Sequence, residues 1–257
     1  MEVTARRVKR GWMNLKVVQI VEDTWDCKTF FMEDLEEGGR TWDYWAGQYL
    51  TIRYDDVAEK PLVRSYTMSS SPRQVANCAV TVKRVEGGLI SNWMCDNIKV
   101  GTVLRARGPI GKFIYEQDKD KAHLVMVAAG SGVTPFISIM REYQDRLGQS
   151  GSPQKMTLVV SYRSRKDLIL WRDIEEIARH PGCQVFVSLS RDNDAPSTFY
   201  QGRLSMDSLN GMLNSSVDFT NATFMSCGPQ AIMDMAKSFA QMKGVPDSQI
   251  KTESFES

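Results

Sequence analysis

Net charge is the first thing this sequence has little of: 32 Lys and Arg offset 31 Asp and Glu, leaving a formal +1 over 257 residues. That balance gives no general field for drawing in nucleic acid or an anionic membrane. Long apolar runs are missing as well. The longest, LVMVAAG at residues 124–130, is far too short to span a bilayer, so no membrane span is expected. The basic arm with Arg6, Arg7, Lys9 and Arg10 is followed by no apolar segment of signal-peptide length, and the reading is a cytoplasmic chain. Cysteine is sparse and scattered. Cys27, Cys78, Cys95, Cys183 and Cys227 are odd in number and lack metal-ligand spacing, which excludes a disulfide framework, a metal site and an iron–sulfur cluster held by this chain. Internal repeats and low-complexity tracts are absent too.

What is present is the mixture of a soluble globular protein, with 42% hydrophobic and 25% charged residues. The length exceeds the usual span of one core, so two domains are expected. In the first half, LKVVQIVED, CKTFFMED, GQYLTIRY, LVRSYTMSS, NCAVTVKRV and TVLRARG are short, β-branched or aromatic, and separated by Gly, Pro and Asp. Six such strands predict a small antiparallel β-barrel or sandwich over residues 12–115. After the charged stretch YEQDKDK the rhythm changes. Buried-strand runs (AHLVMVAAG, MTLVVSY, CQVFVSLS, ATFMSCG) alternate with helical patterns (TPFISIMREYQDRL, WRDIEEIAR, residues 205–213, PQAIMDMAKSFAQMK). That alternation predicts an α/β domain with a parallel sheet over residues 121–257.

Phosphate chemistry is written into both halves. GSGVTP, with Gly130, Gly132 and Thr134, follows a strand and opens a helix, so its glycines let backbone amides approach a pyrophosphate at the positive end of the helix dipole. Thr134 is expected to cap that helix. SCGP places Cys227 and Gly228 at another strand end, and SLSRD places Ser190 and Arg191 at a third, where ligands of parallel sheets bind. Arg163 and Arg165 stand near enough in sequence to offer further grips for a 2′-phosphate. The alternatives at these positions are an ordinary turn, a small buried thiol and a solvated arginine. In the first half, RSYTMSSSP holds Arg64, a planar fork suited to phosphate, Tyr66, a flat ring with a hydroxyl, and Thr67, a stiff hydroxyl. A regular strand puts Arg64 and Tyr66 on the face opposite Ser65 and Thr67. VKRVEGGLISNWM then reads as strand, glycine turn and short helix, with Gly87, Gly88 and Ser91 forming a second phosphate cradle.

Six motifs occur in order: R-x-Y-[ST] at residues 64–67, G-G-x-x-S at 87–91, G-P-x-G-x-F at 108–113, G-x-G-x-T-P at 130–135, C-G-P at 227–229 and E-S-F at 253–255. From about residue 15 to 255 the chain resembles the ferredoxin-NADP reductase superfamily, in its bacterial oxygenase-reductase and hybrid-cluster-protein-reductase-like branch. The resemblance implies an FAD-binding barrel followed by a nucleotide domain that takes NADH or NADPH. It implies that Arg64, Gly88, Leu89 and Ser91 hold the flavin pyrophosphate, that Ser65, Tyr66 and Thr67 line the flavin with Thr67 near N5, and that Val82 and Lys83 lie by the adenosine. It also implies that Gly130, Gly132, Thr134, Arg163, Ser190, Arg191, Cys227 and Gly228 line the nicotinamide nucleotide, with Cys227 at the nicotinamide ring and Glu253 and Phe255 close to the flavin. Thr67, Cys227 and Glu253 would then be the catalytic residues of hydride transfer to FAD. The C-x4-C-x2-C ligands of the ferredoxin domain that often follows in this branch are absent. Electrons would therefore pass to a separate iron–sulfur protein or a fused ferredoxin domain, with a Rieske-type oxygenase as the further partner and a monomer as the expected state. A dehydrogenase acting directly on a carbonyl, or a regulatory module without turnover, are the competing readings. The first would be colourless and the second would fail to bleach with NADH or NADPH.

Overall fold

The alternation of the first half becomes strands with one face on a core. In β1 (Trp12–Thr24), Met13, Leu15 and Val17 are buried while Asn14 is exposed and Trp12 and Lys16 are half-buried on the same outer face. The computed structural model describes residues 7, 9 and 11–255. β2 (Cys27–Asp34), β3 (Tyr49–Tyr54), β4 (Leu62–Thr67), β5 (Cys78–Lys83) and β6 (Val103–Ile110) follow, with α1 (Leu89–Asn97) between β5 and β6. All pairings are antiparallel, in the order β4-β3-β6-β1-β2-β5. The two edges meet just past β4, where Met68 bridges Val80 and the Ser69 N–H donates to the Ala79 carbonyl at 2.8 Å. This closes the sheet and bears out the six-stranded barrel.

Phe30, Met32, Trp42, Tyr44, Leu50, Ile52, Met68 and Met94 fill the interior with almost no exposure. Each such burial contributes about 1.5–3 kcal/mol. Two serines of RSYTMSSSP belong to this framework. Ser69 Oγ lies 2.8 Å from Thr81 Oγ1, which in turn meets Thr29 Oγ1, and Ser70 Oγ accepts the Ala79 N–H and meets the Tyr44 hydroxyl.

The chain divides between Ile114 and Tyr115. In the second unit β7 (His123–Ala129), α2 (Thr134–Tyr143), β8 (Lys155–Tyr162), α3 (Trp171–Ile177), β9 (Cys183–Leu189), β10 (Tyr200–Gln201), α4 (Met206–Leu213), β11 (Ala222–Cys227), α5 (Gln230–Met242) and β12 (Ile250–Glu253) build a parallel sheet ordered β10-β9-β8-β7-β11-β12. From Leu124 to Ala128, β7 is buried on both faces, as a central parallel strand must be. Val125, Val127 and Phe224 meet α4 and α5, while α2 packs on α3 and is tied to it by an Arg141–Asp173 ion pair. The order turns at β7, with β8 on one side and β11 on the other, so the crevice for a ligand opens at the carboxyl ends there. Residues of YEQDKDK pack into this unit: Tyr115 meets Tyr143 edge-on at 5.3 Å, and Lys251 donates to buried Asp120 at 2.7 Å. Among the described residues no helix is long and apolar enough to cross a membrane.

Candidate functional site

β4 runs without a register break from Leu62 opposite Tyr54 to Thr67 opposite Tyr49. The condition on its regularity is met, so Arg64 and Tyr66 share one face while Ser65 and Thr67 share the other. Arg64 is exposed, and among the described residues its guanidinium donates only to its neighbour's carbonyl, Val63 O, at 2.8 Å. Tyr66 is half-buried against the barrel core, and its hydroxyl meets that of Tyr54. Burial pushes the Tyr66 phenol up to about 12. Tyr54 also donates to Met94 Sδ at 2.9 Å and stacks edge-on with Trp93 at 5.8 Å. Both partners lie on α1, so Tyr54 joins the Arg64–Tyr66 strand to the helix that follows the glycine turn. Thr67 is 5% exposed, and its hydroxyl has no partner among the described residues.

That turn is built by Gly87 at φ +69° and by Gly88, which precedes the first residue of α1. A Cβ on Gly88 would lie 2.8 Å from Ser91 Oγ and 2.9 Å from Val85 Cβ. Ser91 Oγ accepts the Val85 N–H at 3.1 Å, and Asn92 Nδ2 donates to the Val85 and Gly88 carbonyls. No side chain caps the helix and its first turn carries no acid, which leaves the leading amides with no intrahelical partner.

In the second unit the strand register lays one row across the carboxyl edge: Glu253, Cys227, Ala128, Val160, Val187. Cys227 and Glu253 are thus direct neighbours. Burial raises the Cys227 thiol, with the Glu253 charge adding to it, so it stays protonated. Burial also pushes Glu253 up to about 7, and its buried Oε2 has no hydrogen-bond partner among the described residues.

Beside them the loops after β7 and β11 touch. A Cβ on Gly132 would fall 2.2 Å from the Cys227 carbonyl oxygen, and one on Gly228, at φ +144°, 3.0 Å from the Ala129 carbonyl oxygen. Gly130, at φ +56°, has open space where its Cβ would be. At the β8 and β9 ends Arg165 makes a two-pronged pair with Asp192 at 2.9 and 3.2 Å, and Arg163 reaches Asp167 at 3.3 Å. The side chains of Ser190 and Arg191 have no partner among the described residues.

Residues 14–115 match the oxidoreductase FAD-binding domain and residues 126–238 the oxidoreductase NAD-binding domain. The glycine betaine monooxygenase reductase subunit of Chromohalobacter salexigens is 30% identical over 98% of this chain and 67% of its own length. That of Pseudomonas aeruginosa is 31% identical with the same coverage. The chain belongs to the ferredoxin-NADP reductase family. It is an FAD- and NAD(P)-binding oxidoreductase, spanning about two thirds of the length of these relatives. The FAD/NAD-binding domain of nitric oxide dioxygenase from Vibrio cholerae shares the fold, with a TM-score of 0.82 at 20% identity, over 94% of this chain and 98% of that one.

The N-terminal unit of the reductase fits FAD. An uncapped helix N-terminus and an arginine with no carboxylate partner among the described residues suit a pyrophosphate, and a buried hydroxyl without a partner among them suits a flavin heteroatom.

Several expected residues have surroundings of their own within the protein. Ser65 turns to the outer face, where its Oγ lies 3.2 Å from Thr51 Oγ1. The Val82 side chain is 1% exposed inside the barrel, and Lys83 pairs with Asp26 at 2.8 Å. Ser91 has its oxygen turned to Val85, so it shapes the turn. Thr134 is the first residue of α2, after a 3-10 turn over Gly130–Val133, and donates to the Ser131 carbonyl at 3.0 Å. It is no N-cap acceptor. Arg163 and Arg165 are engaged, which leaves Arg191 as the uncommitted guanidinium of the three. Leu89 and Phe255 are both exposed. Tyr54 and Asp192 went unread; strand pairing, which alone identifies Tyr54, is not visible in one sequence.

Proposed function

We propose that this reductase moves reducing equivalents from NADH or NADPH through FAD to an iron–sulfur acceptor, either a separate protein or a fused ferredoxin domain. We further propose that it serves a Rieske-type oxygenase system, as a monomer in the cytoplasm. The observation that carries the reading is the regular β4 strand, with Arg64 and Tyr66 on one face and Thr67 buried at its end. The names of the relatives, reductase subunits of a monooxygenase, support an oxygenase partner.

Bound FAD supplies the redox chemistry, accepting two electrons as hydride and giving them up singly. The chain's own residues bind and align. Arg64 and the leading amides of α1 neutralise the pyrophosphate. Tyr66, held by Tyr54, presents a fixed ring for the flavin to rest on. Thr67 offers a hydroxyl to the flavin near N5. In the second unit, Gly130 and the loop it opens admit the dinucleotide phosphates, and Ser190 and Arg191 face its ribose. Cys227, as a neutral thiol, meets the nicotinamide without adding charge. Glu253, pushed up to about 7 by burial, is divided between its protonated and ionised forms near neutral pH and stands ready to hold or release a proton beside it. Alignment of the reacting rings is the main contribution asked of the protein.

The test is a visible spectrum before and after anaerobic addition of each nucleotide. A flavin band that bleaches with NADH or NADPH is expected, and a colourless reconstituted protein would refute the reading. Thr67→Val should slow flavin reduction about tenfold or more, the scale of one lost hydrogen bond to the reacting group, with FAD content unchanged. Equal stopped-flow rates would remove Thr67 from the mechanism.

A further inference from the structure

The outer face of the barrel carries an arrangement that the cofactor sites do not use. Strand pairing lines up two rows of outward side chains across four strands: Ser65, Thr51, Arg107 and Trp12 in one, Val63, Arg53, Arg105 and Asn14 in the other. Arg53 stands directly opposite Arg105, and Arg107 is two residues along the same strand, about 7 Å away. Like charges so placed on a sheet work against folding. Arg53 is relieved by Asp55 at 2.6 Å. Arg105 and Arg107 have no carboxylate partner among the described residues. Both guanidiniums instead lie over the Trp12 ring, at 5.5 and 5.3 Å from its centroid, so two exposed cations are held at fixed positions on an aromatic plate. Val63 and Val103 flank them, 47% and 45% exposed. Arg and Trp with a few aliphatic neighbours are the residue types that dominate protein interfaces.

We infer that this Arg105–Trp12–Arg107 face is the docking surface for the electron acceptor, and that the acceptor presents an acidic face to it. Charge complementarity names the partner's chemistry: two uncompensated cations on a molecule of net charge +1 select a protein with clustered carboxylates. They are too few to hold nucleic acid, whose binding needs many phosphate contacts. Position names the partner's role. The rows end on Ser65 and Val63 of β4, whose opposite face carries Arg64 and Tyr66, so a protein seated there lies along the strand that cradles the flavin. This rests on the reductase reading above.

The test uses the FAD-loaded protein, an acidic plant-type [2Fe–2S] ferredoxin as protein acceptor and the neutral quinone menadione as small acceptor. For the parent, kcat/KM for ferredoxin should fall at least about tenfold between roughly 20 and 300 mM NaCl, as screening removes the attraction. The double variant Arg105→Glu/Arg107→Glu should lose about tenfold or more in kcat/KM at low salt and show a flattened salt dependence, with FAD content and menadione reduction unchanged. Arg105→Gln/Arg107→Gln, which adds no charge, should fall between the two. Parent and variants equal toward ferredoxin, or a parent that reduces menadione but leaves ferredoxin oxidised, overturns the docking proposal alone. So does a parent that binds short duplex DNA at low salt while ignoring ferredoxin. Failure to reduce menadione with either nucleotide refutes the reductase reading itself.

Discussion

Glu253 shows how one buried carboxyl ties the second unit to pH. Its burial, with an unpartnered oxygen, raises its pKa from 4.5 to about 7. Between those values the folded state holds a proton that the unfolded state has released, so stability falls as pH rises through that window. Glu253→Gln removes the titration. Its Tm should match the parent's near pH 4.5 and exceed it at pH 8; thermal melts at the two pH values that leave the difference unchanged would contradict the assigned burial. Arg191 makes a second prediction at this scale. Of three arginines around the β8 and β9 ends it is the one with no ion pair among the described residues, because Asp192 and Asp167 hold the others. Arg191→Ala should therefore lower kcat/KM for NADPH about tenfold, the scale of one charge-assisted hydrogen bond, and leave NADH nearly unaffected. An equal loss with both nucleotides would place Arg191 away from the 2′-phosphate. The sequence shows all three arginines and cannot show which two are neutralised, because ion pairs such as Arg165–Asp192 join residues 27 positions apart.

Elements were more legible than partners. Fifteen of the seventeen strands and α-helices rest on patterns that a single chain displays, such as the alternation in LVRSYT or the unbroken apolar run of β7. β10 and β12 escaped because they are two and four residues long and lack any buried run of their own; β12 becomes a strand only because β11 offers it a ladder. The glycines were legible in kind but not in cause. Gly132 reads as room for a phosphate, yet the nearest obstacle to its Cβ is the Cys227 carbonyl, so its first duty is packing one loop on another. Gly88 is the glycine whose loss should reach the cofactor. A methyl there collides with Ser91 Oγ and Val85 Cβ, and relief requires opening the turn that aims the α1 amides. Gly88→Ala should weaken FAD binding at least about tenfold at a stability cost of about 1–3 kcal/mol. Equilibrium flavin titration checks it, and unchanged affinity would detach the turn from the pyrophosphate.

At the scale of the molecule, the division at Ile114 and Tyr115 separates two closed cores. The barrel seals Phe30, Trp42, Leu50 and Met94 inside its own strands, and the parallel sheet seals Val125, Phe224 and Phe239 between itself and its helices. Each set is drawn from its own unit, so each unit has the means to unfold cooperatively by itself. Calorimetry on the flavin-free protein should show two transitions. A ligand that binds only folded protein raises the transition of the unit that holds it by RT ln(1 + [L]/Kd), about 2.7 kcal/mol at a hundredfold excess over Kd. Excess FAD should thus move one transition and leave the other in place, and NADP+ should move the second. A single transition shifted equally by both ligands would mean that the two cores melt as one, and that flavin and nicotinamide sites report on each other through stability as well as through electron transfer.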